Sequence, residues 1–271
     1  MTDADTRTPL SRLLASMTLD NDVSHVHVPD DWLQGRAIYG GLTAALCLQA
    51  IYDQHGADLP PLRSALLSFI GPAGPDVALK PVVVRRGKST AFITVDMLSD
   101  DKIAARATFC FGKARDSSVD HARIKAPQVA APDDCDSFFQ RAGQTAPNFT
   151  QHFEGRFAGG SMPVTQSDDP QYVVWIRHRD TEIDPVIVGL AALADALPPA
   201  AMASFSDVAP ISTMTWMFDV LDDEPTTDDG WWLSQSVANH SADGYSSQAM
   251  RVWNSAGKPV IVGRQNVAVF A

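Results

Sequence analysis

Residues 184–199 read DPVIVGLAALADALPP, and this stretch decides how the chain must be built. Asp184 suits an N-cap, Pro185 suits the first helical position, and Pro198-Pro199 stop the run, so a helix is expected over residues 184–197. At helical spacing Val186, Leu190, Leu193 and Leu197 form one stripe, yet Val188, Ala191 and Ala192 lie opposite it. A helix that is apolar all round must be wrapped by the rest of the fold. The one charge after the cap is Asp195. A carboxylate there is costly unless it is hydrogen-bonded or faces a cavity, and burial raises its pKa. The plain alternative is an acid at a frayed helix end, in water.

What could wrap such a helix lies on both sides of it. Residues 40–52 (GGLTAALCLQAIY) form a second apolar segment, broken only by Thr43 and Gln49. Strand-like runs follow at 62–70, 79–85, 90–98 and 103–111, with turns rich in Gly, Pro and Asp. After the second helix the order repeats, with runs at 211–221, 231–239, 245–254 and 259–270. Gly87 and Lys102 mark the last two hairpin turns of the first half, and Gly244 and Lys258 mark those of the second. Laid over each other without gaps, Ser64 falls on Thr213 and Phe69 on Phe218, a pattern of duplication. Further strands are expected at 149–157 and 172–179. Between the halves KAPQVAAPDDCDS reads as a surface linker with one helical turn around Ser137–Arg141. The organisation is therefore 1–118, a linker at 119–146, and 147–271. Each half is an α+β layer, one helix on an antiparallel meander.

Composition narrows the function classes. The chain has 271 residues, 45% hydrophobic and 20% charged, which excludes disorder. A net charge of -11 argues against a nucleic-acid partner. No apolar run is long enough for a membrane span, residues 1–20 lack a secretory h-region, and three cysteines make no framework, so a cytoplasmic protein is expected. No spacing of His or Cys suggests a metal. Gly35 and Gly40 lack the Lys and Ser/Thr of a phosphate loop, and Gly159-Gly160-Ser161-Met162-Pro163 is not a nucleophile elbow.

The segments YGGLTAALCLQA and LRSALLSFIGPA resemble the first half of the acyl-CoA thioesterase II family. LADA, PISTMTWMFDVL and the closing WWLSQSVANHSADGYSSQAMRVWNSAGKPVIVGRQNVAVF resemble its second half. The resemblance covers nearly all of the chain except the linker and implies a double hotdog fold, two tandem repeats each wrapping a sheet around a long central helix. It implies acyl-CoA hydrolysis without a cofactor. In that family an Asp on the second-half helix, a Thr or Ser on the next strand and a Gln on the last strand hold the attacking water; the matching residues are Asp195, in the helix, Thr213 and Gln265. The connection PPAAMASFSDVAP varies from the family, which leaves Asp207 as a rival acid.

Those residue types suit the chemistry. A buried carboxylate can accept a water's proton, and a hydroxyl and an amide can aim that water's lone pair. Helix-start N–H groups can bind an oxyanion, and Gly40 and Gly41 allow close approach there. Arg85-Arg86-Gly87-Lys88 and Arg177-His178-Arg179 are candidate basic patches for CoA. Two other readings stay open. Asp20 and His25 resemble the acid/histidine pair of hotdog enoyl-CoA hydratases, though without its Asn-Pro, and a non-catalytic acyl-CoA-binding protein would keep the same fold. The expected partner is an acyl-CoA, and a homo-oligomer (dimer or higher) is compatible with the sheet edges.

Overall fold

In a computed structural model, residues 7–139, 146–184 and 186–271 are described. A short helix α1 (Leu10–Ala15) leads into β1 (Thr18–Asp20) and β2 (Val23–His27), then a small ribbon of β3 (Leu33–Gln34) and β4 (Ala37–Ile38). Helix α2 (Gly40–His55) follows, and after it β5 (Leu62–Phe69), β6 (Asp76–Arg86), β7 (Thr90–Ser99) and β8 (Lys102–Gly112). The second half comprises β9 (Asp136–Ser137), β10 (Phe153–Gly160), β11 (Gln171–His178), α3 (Val186–Ala194), β12 (Ile211–Val220), β13 (Trp232–Ala242), β14 (Tyr245–Asn254) and β15 (Pro259–Val269).

Thirteen strands make one sheet in the order β1-β2-β6-β7-β8-β5-β12-β15-β14-β13-β11-β10-β9. The seam is β5 against β12, and on either side of it the strands recur in corresponding order. Period-2 alternation sets which face is inward: in β7, Ala91, Ile93, Val95 and Met97 are buried. The tight hairpins carry paired positive φ angles at Asp100-Asp101 and at Asp243-Gly244, the backbone of a type I′ turn. Inside the curved sheet lie α2, buried from Gly41 to Ile51 except at Gln49, and α3, buried from Val188 to its end, while Val186 at the start of α3 is exposed. Gly41 sits so close to Ala192 that an added Cβ would collide with its carbonyl, and the Tyr39 hydroxyl donates to that carbonyl at 3.2 Å. Two apolar helices thus cross at a glycine and together form the core of a double hotdog.

Several expectations need correction. The second helix is not long. It ends at Ala194, so Asp195 is the first residue beyond it, and the Ala196 N–H closes a tighter turn on Leu193 O at 3.0 Å. Pro185, read as its first residue, lies outside the described residues. The strand expected at 149–157 starts only at Phe153, after a 3-10 turn over Asn148–His152. Ser137 belongs to a strand rather than a helical turn, and Gln140 and Arg141 lie outside the described residues. The linker segment is also more than a surface crossing. Ile124, Ala126 and Val129 pack on Trp175, Trp231 and Trp253, and the Trp175 indole N–H donates to Ala130 at 2.9 Å.

The ungapped repeat alignment is wrong by two residues at the seam. Both β5 and β12 carry a bulge beside their last-strand partner: Leu62 pairs with Phe111 before the register shifts to Ser64, and Thr213 pairs with Val267 before it shifts to Thr215. Matching bulge to bulge equates Leu62 with Thr213, and Ser64 with Thr215. The bulge is common to both strands, so the offset is fixed by cross-strand pairing, which spacing along the chain does not carry.

Candidate active site

The early end of α3 is what makes a site. Freed from the helix, Asp195 turns its carboxylate toward the last strand, where the Gln265 side-chain amide donates to Oδ1. The Gly41 backbone N–H, at the open start of α2, directs a hydrogen bond at the same carboxylate. These two bonds favour the charged form, but burial outweighs them and pushes Asp195 up to about 7. The other oxygen, Oδ2, faces Gly40, where a Cβ would stand 2.5 Å from it and 2.9 Å from the Phe69 ring. Glycine at position 40 is therefore required by the carboxylate itself.

Gln265 is held in turn. On β15 it lies directly opposite Trp216 of β12 and Gln248 of β14. The Gln248 amide donates to Gln265 Oε1 at 2.6 Å, and Gln248 Oε1 accepts from the Ala200 backbone N–H at 2.8 Å. Gln248 was not among the residues singled out from sequence. The signal was there: in YSSQAMRVW the inward positions are Ser246, Gln248, Met250 and Val252, so an amide sits in an apolar row.

Thr213 comes to the same side of the sheet but not into contact. It pairs with buried Val267, two positions along β15 from Gln265, so the bulge at Met214 leaves Thr213 and Gln265 on one face. Its hydroxyl has no hydrogen-bond partner among the described residues. Asp207, the rival acid, is exposed. Gly41 also departs from expectation, since its N–H is turned to Asp195 rather than left open; Gly40, the first residue of α2, retains an N–H without an intrahelical acceptor.

The other candidates lie apart. Asp20 and His25 are exposed on β1 and β2, the outermost strands of one sheet edge. Arg85, Arg86 and Lys88 stand exposed at the β6–β7 hairpin. The second basic cluster is not a patch. Arg177 is paired with Glu154 at 2.7 Å and lies over the Trp231 ring at 4.3 Å. His178 bonds Gly189 O at 2.8 Å, and burial lowers its pKa to about 4, so it is a neutral packing residue. Among the described residues no helix is long and apolar enough to cross a membrane, and no group of three or more His, Cys, Asp or Glu is placed to hold a metal ion.

Comparison with known proteins reaches both halves. The family model described as acyl-CoA thioesterase N-terminal domain matches residues 28–112, and that described as acyl-CoA thioesterase C-terminal domain matches residues 132–269. Among solved structures, a conserved protein of unknown function with hot dog fold from Alicyclobacillus acidocaldarius is 25% identical with a TM-score of 0.86, covering 98% of this chain and 99% of its own. A putative thioesterase II from Thermobifida fusca superposes with a TM-score of 0.80 at 15% identity, over 97% of this chain and 99% of that one. The acyl-CoA thioesterase II TesB2 from Mycobacterium marinum gives 0.73 at 16% identity, over 94% and 96%. No curated protein sequence gives a significant match.

Proposed function

This chain belongs to the acyl-CoA thioesterase family and is a thioesterase, and on that premise we propose that it hydrolyses acyl-CoA with a water activated by Asp195 and aimed by Gln265 and Thr213. The observation that carries the reading is the Asp195 carboxylate: held by Gln265 at Oδ1 and by the start of α2, with Oδ2 facing Gly40, and pushed up to about 7 by its burial. A base of that strength is matched to proton transfer near neutral pH.

The Asp195 carboxylate takes a proton from the water as the water oxygen adds to the thioester carbonyl. The carbonyl electron pair moves onto oxygen, and the Gly40 N–H, at the positive end of the α2 dipole, faces that charge. When the tetrahedral centre collapses, the C–S bond breaks and the departing thiolate recovers the proton from Asp195. The products are a free acid and CoA. The Phe69 ring packs beside Gly40 at this centre.

The test is thiol release over a series of acyl-CoA chain lengths. Release is expected, with kcat/KM falling as pH drops below about 7, because the base must be ionised. An acid limb in the ordinary carboxylate range would remove Asp195 from the role. No release from any chain length by folded protein would overturn the activity.

A further inference from the structure

Two inward positions of the sheet carry amides deep in the core, Gln248 between Ser246 and Met250 and Gln265 next to Val267. Gln248 and Gln265 are 1% and 3% exposed and lie directly opposite each other on β14 and β15. A primary amide can be turned end for end at little steric cost, and its two orientations present opposite polarity to what it faces. With its NH2 toward Asp195, Gln265 donates to a carboxylate. With its oxygen there, it accepts only from the protonated acid.

The choice is made two residues away. A backbone N–H can only donate, so the oxygen of Gln248 must face Ala200. That turns the Gln248 NH2 toward Gln265, where only an oxygen accepts, and the Gln265 NH2 is left for Asp195. The chain has one direction, set at its backbone end. That end is itself anchored. The Tyr172 hydroxyl donates to Pro198 O, and the 3-10 turn over Ala200–Ser204 receives Val164 N–H on Met202 O at 2.7 Å and Ser167 N–H on Ala203 O at 2.9 Å.

We propose that Gln248 is a positioning residue, which holds the Gln265 amide in the orientation that donates to Asp195. The inference rests on the reading of Asp195 as the base. Gln248 is hydrogen-bonded to Gln265 and Ala200, so it acts through its neighbour. Its effect is read in the ionisation of Asp195. The titratable side chain coupled to that carboxylate is Tyr39, from the start of α2; burial first, then Asp195 itself, hold its phenol well above its ordinary range, and it stays neutral. Gln265 from β15 and the Gly41 N–H from α2 are the polar groups that meet Asp195, and neither carries a charge.

The experiment compares Gln248→Met, which fills the same space without polarity, with Gln248→Glu, whose carboxylate accepts from both Ala200 and Gln265 and so drives the flip. For Gln248→Met the acid limb of kcat/KM is expected to rise by about one pH unit, a loss of about 10-fold at pH 6 and little at pH 9, with KM unchanged. Gln248→Glu is expected to shift further. In a Gln265→Met background, Gln248→Met should add nothing, the signature of two residues acting as one unit. A 13C-carboxyl titration of Asp195 should show the same upward shift without substrate. A pH-independent loss, an additive double variant, or an unmoved limb and titration would overturn the proposal. Should Gln248→Met fail to fold, Gln248→Glu carries the same measurements. If the wild type releases no thiol, the thioesterase mechanism falls, and the carboxyl titration still decides the role of Gln248.

Discussion

The two halves of this molecule share one plan, strand for strand on either side of the β5–β12 seam, and differ in what they place at equivalent points. Where the second half has Gln265, opposite Trp216, the first has Phe109, opposite Ala65 and fully buried. Where the second half has Thr213 at its bulge, the first has buried Leu62. The first helix runs on to His55, whereas α3 breaks at Ala194 and releases an acid. The first half lends its helix start, Tyr39 to Gly41, and the Phe69 ring to the surroundings of that carboxylate. Two halves on one plan thus keep packing at these points in one and carry polar groups in the other, and on the proposed mechanism that allows one site per chain.

The largest effect is expected where that asymmetry is deepest. Asp195→Asn should lower thiol release by about 10³–10⁴-fold, since the general base is gone and the shape is kept. The same variant should melt higher than the wild type at pH 8. The folded pKa of Asp195 is raised from 3.8 to about 7, so the native state holds its proton through the window where the unfolded chain has lost it. Wild-type stability therefore falls relative to the variant as pH rises from about 4 to about 7. A melting gap independent of pH would break this account of the carboxylate.

Next comes a swap between the halves. Gln265→Phe copies the first-half residue into the second and should cost about 10²–10³-fold in turnover. The converse, Phe109→Gln, should create no second site and should destabilise by about 1–3 kcal/mol in denaturant melts, because it buries an amide with no partner. Thr213→Val should lower turnover by about 10²-fold if its hydroxyl aims the water, with melting almost unmoved. A smaller loss than for Thr215→Val would move that role across the bulge. The least effect is expected from Ser64→Ala, about twofold or below in turnover, since Ser64 is equivalent to Thr215 and lies in the half without the acid. Equal damage from Ser64→Ala and Thr213→Val would end the one-site comparison.

Much of this was legible in one dimension. The strand runs at 62–70, 90–98, 245–254 and 259–270 fall within a residue or so of the observed elements, because alternation and turn residues are local signals. Asp195 stood out as the only charge after the cap in a helix with no polar face. The end of α3, the bulges at Arg63 and Met214, and the pairing of Gln248 with Gln265 were not legible. The bulges and the pairing depend on which strand lies alongside, spacing along the chain carries no such information, and a helix end shifts by a residue or two without any change of pattern.

By itself, then, the amino-acid sequence determined the layering and the acid. Two helices without a polar face demand a wrapping sheet, and a lone carboxylate among apolar residues demands donors, whatever the partners turn out to be. Only the tertiary structure decided which donors those are. Gln265 reaches Asp195 across 70 residues because β15 lies inside the sheet between β12 and β14, and the polarity of its amide is inherited from the Ala200 N–H through Gln248. Hydrogen-bond direction is a property of neighbours in space, so it was settled only when the strands were brought side by side.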